Sequence, residues 1–302
     1  MRKLPLIDLI AIGTIIVLLF LKNILLLNIV VGSYLIFAVY RNYPTLVATK
    51  GSRAYNAGNT EMAMTYFQKA VKHPFAKSFI KSSYGYVLLR EGRLEEAEPF
   101  LLEAAKAGHK DKRLKYNNVL NLAILNWKKG NVDEAIKLVE EIQEDYKNSI
   151  MYEILGYLYI AKGDYEKALS FNKEAYEFNH DDHVITDNLA QSYYFLEDYD
   201  KALALYEEVI ELIKFPEAHY YYGLIKWEKG DLLGAYNALE EATRRKISFL
   251  SIVNKAMIDD KFSKLKEALK EKNLNIEEMR EAQVLEDKKT TVDSKADIVS
   301  AN

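Results

Sequence analysis

The sequence predicts an all-α fold in which a solenoid of short helix pairs follows a membrane-spanning helical hairpin. An alanine recurs at steps of 34, 38, 33, 34 and 33 residues, and a second small residue lies twelve positions before each alanine. This period is typical of stacked structural units, because one helix pair cannot bury its apolar face alone. The apolar N-terminus predicts the membrane hairpin. The repeat signature comprises Gly51, Ala63, Gly85, Ala97, Ala123, Ala135, Gly156, Ala168, Ala190, Ala202, Gly223 and Ala235.

Two apolar segments, residues 4–21 and 24–40, precede the repeats and are separated by Lys22 and Asn23. One helix through both would be about 55 Å long, nearly twice the ~30 Å thickness of a hydrocarbon core. Two spans of about 26 Å each match that thickness. Residues 1–43 are therefore predicted to form a membrane anchor of two transmembrane helices with a turn at Lys22 and Asn23.

The basic residues around these segments predict their orientation. Two precede the first segment, one lies at the turn, and three follow the second segment closely. Because short cytoplasmic segments carry the excess of lysine and arginine, this bias places both ends of the hairpin, and the repeats, in the cytoplasm of a prokaryotic cell. The alternative is a single signal-anchor span that exports the repeats to the extracytoplasmic side.

Residues 44–248 divide into six units of two helices each. A glycine closes the first helix in five units, since glycine adopts the left-handed conformation that a helix end commonly needs. These glycines are Gly58, Gly92, Gly130, Gly163 and Gly230, and Glu197 takes the place in the remaining unit. Apolar residues at helical spacing in 249–285 predict C-terminal capping helices, and the polar residues 286–302 predict a disordered tail.

The segments LGYLY at 155–159 and GDYEKA at 163–168, followed by Ala175, resemble the tetratricopeptide repeat (TPR) family. The resemblance covers all six units. It implies a right-handed superhelix in which the first helix of each unit lines a concave groove that binds a peptide or a partner protein. Four features depart from the family pattern. The family's proline at the end of the second helix is mostly missing, Asn172 replaces an aromatic residue, Glu197 replaces a glycine, and four extra residues separate the second and third units.

The resemblance assigns twelve residues to this groove. The aromatic ones would supply apolar area and, in most cases, a hydrogen-bonding end, which suits a peptide-binding surface. The alternative is that several of them only pack helix against helix. The predicted groove residues are Tyr55, Tyr86, Asn117, Asn121, Trp127, Tyr157, Asp187, Asn188, Gln191, Tyr194, Tyr220 and Trp227.

Several function classes are disfavoured by composition and motifs. A formal net charge of −3 gives no basic footprint for nucleic acid, and the absence of cysteine excludes thiolate metal sites and cysteine nucleophiles. His180, Asp181, Asp182 and His183 include metal-binding side chains, but adjacent ligands rarely converge on one ion. The basic stretch 106–115 is typical of a solvated turn. No catalytic residue, cofactor or metal is therefore expected.

The sequence thus favours a non-enzymatic, membrane-tethered scaffold that binds a protein or peptide in the groove and contacts the lipid bilayer through residues 4–40. One alternative uses the same repeats as an extracytoplasmic envelope assembly factor or holdase. A metal-dependent enzyme using residues 180–183 is the least favoured reading.

Overall fold

The computed structural model describes residues 5–107 and 111–285, and every regular element in these ranges is a helix. The predicted all-α class is confirmed. The predicted disordered tail, 286–302, and part of the basic stretch 106–115 lie outside the described residues. The helices are α1 Leu6–Phe20, α2 Ile24–Asn56, α3 Thr60–Val71, α4 Ser78–Arg90, α5 Leu94–Lys106, α6 Lys112–Lys128, α7 Val132–Gln143, α8 Ser149–Lys162, α9 Tyr165–Phe178, α10 His183–Phe195, α11 Tyr199–Val209, α12 Pro216–Glu228, α13 Leu232–Arg244, α14 Lys255–Glu271 and α15 276–285.

The chain forms two compact units. The first consists of Met1–Leu88 and Glu95–Lys110, and the second of Leu89–Leu94 and Asp111–Asn302. The first unit thus holds α1 to α3, α5 and most of α4. The second holds α6 to α15 together with the turn between α4 and α5.

In the first unit, α1 and α2 are antiparallel. Lys22 in the left-handed conformation separates them, and the Asn23 side chain accepts a hydrogen bond from the Leu26 N–H at the start of α2. Asp8, near the start of α1, pairs with Arg41 at 2.6 Å and accepts a hydrogen bond from the Tyr34 hydroxyl at 2.9 Å. The N-terminus of α1 and the Arg41 turn of α2 therefore lie at the same end of the pair.

Helix α2 continues without a break through Pro44. Its 33 residues include the second predicted membrane segment and the first helix of the first repeat, so the predicted boundary between residues 43 and 44 falls inside a helix. Proline lacks an N–H and usually interrupts a helix, which is why the sequence favoured a boundary here.

The second unit contains four helix pairs, α6 with α7, α8 with α9, α10 with α11, and α12 with α13. Small residues of the repeat signature lie where the two helices of a pair approach each other, and all twelve members of the signature are buried. At Gly223, for example, an added Cβ would lie 2.8 Å from the Leu239 side chain and 3.2 Å from its backbone nitrogen. A larger residue would force the paired backbones apart.

Asn172, one of the departures from the family pattern, is fully buried between α8, α9 and α10. Its amide donates hydrogen bonds to the Ser192 hydroxyl at 2.9 Å and to the Asn188 carbonyl at 3.3 Å. Asn172 therefore links neighbouring repeats through hydrogen bonds, whereas the aromatic residue of the family pattern would make apolar packing contacts.

All five predicted turn glycines have positive φ values, between 75° and 88°. Glu197, in the equivalent position of the remaining unit, also has a positive φ, of 61°. A side chain with a Cβ atom is strained there, and glycine is not.

We therefore expect Glu197→Gly to stabilise the protein by about 1 kcal/mol, by removing the strain of a Cβ atom in the left-handed region. The thermal unfolding midpoint of the full chain measures this effect. Glu208→Gly is the matched control: Glu208 is exposed inside α11, where glycine should instead destabilise by roughly 1 kcal/mol. A lower midpoint for both variants would contradict the expectation.

The C-terminal helices pack on the last pair. Helix α14 contacts α13 and buries Ile258, Leu265 and Leu269, while much of its other face is exposed. Helix α14 begins at Lys255, so the predicted helical region starts six residues later than Phe249. Residues 245–254, which join α13 to α14, are not helical, and we call them the returning segment.

Candidate functional site

The first helices of neighbouring pairs, α6, α8, α10 and α12, contact one another in sequence and form one face of the second unit. The returning segment lies against this face. It contacts side chains from α6, α8 and α12, which come from three different helix pairs. The segment therefore lies on the surface that the sequence predicted for a peptide.

Side chains of this face bind the main chain of the returning segment. The Ile252 N–H donates a hydrogen bond to the Tyr157 hydroxyl oxygen at 2.8 Å. The Ser251 carbonyl oxygen lies 3.5 Å from the Lys128 ammonium. The Tyr157 hydroxyl in turn donates a hydrogen bond to Glu217, whose two carboxylate oxygens lie 2.7 and 2.9 Å from the hydroxyl oxygen. One N–H and one C=O of the segment are thus held by residues 95 and 123 positions away in the sequence.

Glu217 also recognises a side chain of the segment. The Ser251 hydroxyl donates a hydrogen bond to this carboxylate and accepts one from the Val253 N–H at 2.9 Å. Glu217 is only 7% exposed, so its charge depends on these donors rather than on water. Burial raises the pKa of Glu217 to about 7, although the hydrogen bonds from Ser251 and Tyr157 oppose the shift.

A cation–π contact holds Phe249 of the returning segment. The Lys128 ammonium lies 4.4 Å from the centre of the Trp127 ring and 4.7 Å from the centre of the Phe249 ring. A cation so close to two ring faces is attracted by both, and this attraction strengthens as water is removed. Burial lowers the pKa of Lys128, and the charge of Glu217 acts in the opposite direction.

A second buried carboxylate, Asp187, lies behind this contact. It is 3% exposed, and it accepts hydrogen bonds from the Tyr206 hydroxyl and the Gln191 amide, each at 2.8 Å. Burial, together with the nearby charge of Glu217, raises the pKa of Asp187 to about 8 against the opposing hydrogen bonds from Tyr206 and Gln191, so Asp187 is mainly protonated at neutral pH. The site therefore has two carboxyl groups but avoids two negative charges.

The Gln191 amide interacts with both carboxyl groups. Its nitrogen donates a hydrogen bond to Asp187 at 2.8 Å, and a hydrogen bond from Gln191 also lowers the pKa of Glu217. The Gln191 side-chain oxygen is buried without a hydrogen-bond partner among the described residues.

The structure separates the predicted groove residues into three groups. Trp127 and Tyr157 contact the returning segment or its binding residues, and Asp187 and Gln191 lie behind them. Asn188 and Tyr220 are buried, and Asn188 donates to the Glu153 carbonyl of α8 at 2.9 Å. These four residues are buried and form no open surface in this structure, and their place in a peptide-binding groove stays a prediction. The partly exposed residues are Tyr55 and Tyr86 in the first unit and Asn117, Asn121, Tyr194 and Trp227 in the second.

The sequence did not identify Lys128, Glu217, Phe249 or Ser251 as site residues. Glu217 follows a proline at the start of α12, where an acidic residue is usually explained by the helix dipole. No sequence signal pointed to Lys128, because neighbouring residues on a helix point in different directions and its contact with Phe249 spans 121 positions.

The polar run 180–183 has a different role. The Asp182 carboxylate accepts hydrogen bonds from the backbone N–H groups of Val184 and Ile185, at 2.9 and 3.3 Å, and so caps α10. Within residues 5–107 and 111–285, no three histidine, aspartate or glutamate side chains come together in a metal-binding arrangement.

Comparison with known proteins identifies the repeats. Two tetratricopeptide repeat family profiles match the sequence, over residues 148–214 and 188–248. No curated protein gives a significant sequence match.

Solved structures share the fold at low sequence identity. The Cut9–Hcn1 hetero-tetramer of the APC/C is 17% identical with a TM-score of 0.59, and the alignment covers 74% of this chain and 42% of that one. PilW, described as a widely conserved type IV pilus biogenesis factor, is 10% identical with a TM-score of 0.54 over 67% of this chain and 93% of its own. PilF of Pseudomonas aeruginosa is 17% identical with a TM-score of 0.52, over 68% and 92% respectively. This chain thus spans less than half the length of the first of these proteins.

The small-residue pairs, the left-handed turns, the two profile matches and the structural likeness have one explanation in common. Residues 148–248 of the chain are tetratricopeptide repeats, and solved structures share the same fold over 67–74% of the chain.

Proposed function

We propose that this protein is a membrane-tethered scaffold that binds an extended segment of a partner protein on the first-helix face of its second unit. Tetratricopeptide repeats generally bind protein partners, which supports the coarse function. The observation that carries the finer proposal is the returning segment, whose main-chain N–H and C=O groups are bound by Tyr157 and Lys128. A surface that holds one non-helical segment in this way suits another.

The mechanism is binding without catalysis. Tyr157 and Lys128 contact main-chain groups that any extended peptide has, so they contribute affinity. Glu217 contacts the Ser251 hydroxyl and the Lys128 ammonium contacts the Phe249 ring, so these two residues also contribute selectivity for side chains. A membrane tether strengthens partner binding further, because restricting the scaffold to the membrane raises its local concentration near partners at the same surface.

Helix α2 supports the tether, being long and apolar enough to cross a membrane by length and composition. Helix α1 is shorter, with 15 residues and a length of about 22 Å. The Asp8–Arg41 pair favours the hairpin, because it places the start of α1 and the end of the apolar part of α2 at one end. In this topology the repeats are cytoplasmic.

The short length of α1 favours a second arrangement, in which α2 alone crosses the membrane and the repeats lie outside the cytoplasm. The protein would then be an envelope assembly factor or holdase that uses the same face.

A topology measurement separates the two arrangements. Reporters fused after Asn302, one active only in the cytoplasm and one only outside it, should show cytoplasmic activity if α1 and α2 form a membrane hairpin. External activity would contradict the hairpin and favour the envelope function.

Partner capture tests the scaffold itself. We expect the full chain, purified from native membranes after crosslinking, to enrich specific proteins. Enrichment should fall at least fivefold when Trp127 and Trp227 are both replaced by alanine. Phe178→Ala is the matched control, since Phe178 is a half-exposed aromatic residue at the end of α9, a second helix. Unchanged enrichment by a folded double variant would refute the groove as the binding surface.

A further inference from the structure

We infer that the returning segment is a built-in competitor of the partner and that it displays the sequence pattern the partner must carry. The pattern is an aromatic residue, any residue, a hydroxyl residue and two aliphatic residues, as in Phe249–Val253. The inference rests on the proposed function, because it assigns the chemistry of the ligand to the same face.

The hydroxyl position follows from Glu217. This carboxylate is buried and receives hydrogen bonds from Ser251 and Tyr157. A ligand without a hydroxyl group here would cover Glu217 and leave it short of a donor, which is costly for a buried carboxylate. A site of this kind rejects the ligand that lacks the polar group more strongly than it rejects one of a slightly different size.

The aromatic position follows from Lys128. Its ammonium lies between the Trp127 and Phe249 rings, and burial disfavours its charge. An aliphatic residue in place of Phe249 would cover the cation without offering a negative ring face.

The aliphatic positions follow from packing. Val253 is 1% exposed within the apolar core around α12 and α13, and Ile252 packs against both apolar clusters of the second unit. Together with the hydroxyl and aromatic contacts, these positions define a largely apolar peptide with an aromatic residue and a hydroxyl group, which turns at Ser248–Ser251 in the bound segment.

The segment can leave the face as a loop, because both of its ends are anchored elsewhere. Arg245 donates hydrogen bonds to the Ile213 carbonyl at 3.1 Å and to Glu241 at 2.8 Å. At the other end, the Asn254 side chain caps α14, which has its own contact with α13. Neither anchor involves Tyr157, Lys128 or Glu217.

Competition follows from this connection. A tethered segment has a high effective concentration at its site, so a free peptide binds only the fraction of molecules in which the segment has left. A partner should therefore bind weakly until its own affinity, or a second contact, displaces the segment.

The test uses a fluorescent peptide with the sequence of residues 246–254, KISFLSIVN, and the full chain in detergent micelles. In one variant, residues 247–253 are replaced by a glycine–serine linker of equal length. We expect this variant to bind the peptide at least tenfold more tightly than the wild type. Two control peptides should each bind the linker variant at least tenfold more weakly than KISFLSIVN does. One has alanine in place of Ser251, and the other has a scrambled sequence.

Two results would overturn the inference: no peptide binding by the folded linker variant, or equal binding by that variant and the wild type. If the linker variant does not fold, Phe249→Ala in the full chain is measured instead. This substitution weakens the binding of the returning segment to its own face, so the variant should bind the peptide more tightly than the wild type does. If the peptide does not bind but the full chain still captures partner proteins, the sequence pattern is rejected and the proposed scaffold function is retained. Loss of both would reject the proposed function.

Discussion

Replacing Asp187 by asparagine should make the protein more stable than the wild type at pH 8.5, with a smaller gain at pH 5. Burial raises the pKa of Asp187 from its ordinary value of 3.8 to about 8. Between these pH values the folded chain holds a proton that the unfolded chain has lost, so the free energy of unfolding falls as the pH rises. Asparagine has the same shape without this titration.

The magnitude follows from the size of the pKa shift. Roughly four pKa units correspond to at most about 5 kcal/mol, the largest single effect that we expect from a substitution in this chain. The stabilisation by the neutral carboxyl group is complete below pH 4, is lost as the pH rises to about 8, and changes no further above that. Glu217, with its pKa raised to about 7, adds a loss of the same sign between its ordinary 4.5 and 7 in both proteins.

Thermal unfolding of the full chain between pH 4 and 9 measures this difference. The midpoints of wild type and Asp187→Asn should diverge steadily up to pH 8 and then run parallel. Asp181→Asn is the matched control for removing one carboxyl group, because the Asp181 side chain is 90% exposed. Parallel curves for Asp187→Asn and the wild type would show that Asp187 is ionised in the folded protein.

Gly156→Ala should be the most destabilising single-methyl change in the repeats. An added Cβ would lie 1.9 Å from the Asn172 side-chain oxygen and 2.9 Å from its amide carbon. Asn172 cannot move aside easily, since its amide is bonded to Ser192 and Asn188 in a fully buried site. We expect a loss of about 3 kcal/mol, at the upper end of the usual cost of overpacking.

A double variant tests the cause of this loss. Asn172→Ala removes the amide that the new Cβ would contact, so Gly156→Ala combined with Asn172→Ala should unfold at a higher temperature than Gly156→Ala alone. Gly13→Ala is the control, because its added Cβ meets nothing within 4 Å. If the double variant were less stable than either single variant, the clash with Asn172 would not be the cause.

The sequence predicted the parts of the fold that repeat. Gly58 and Gly163 are recognisable as turn residues because the same backbone conformation recurs at each helix end, and Ala168 because the same close approach recurs in each pair. These are local requirements, so one residue type satisfies them in every unit. At Pro44 the local preference of proline against a helix interior is overridden, and α2 continues through this residue.

The candidate site was less predictable. The resemblance led to Trp127 and Tyr157, but it could not show that the chain covers them with its own segment. The Tyr157–Ile252 contact joins residues 95 positions apart and has no periodicity. Leu250 and Val253 also fit the apolar spacing of a capping helix, so the non-helical conformation of residues 245–254 was not evident.

The central claim is that the first-helix face of the second unit binds a partner segment directly. A photo-crosslinking amino acid at position 127, in the full chain in native membranes, tests this claim by contact. We predict crosslinks to a partner protein from position 127, stronger when residues 247–253 are replaced by the glycine–serine linker, and none from the same amino acid at position 178. Equal crosslinking from positions 127 and 178, or crosslinks from position 178 alone, would contradict the account.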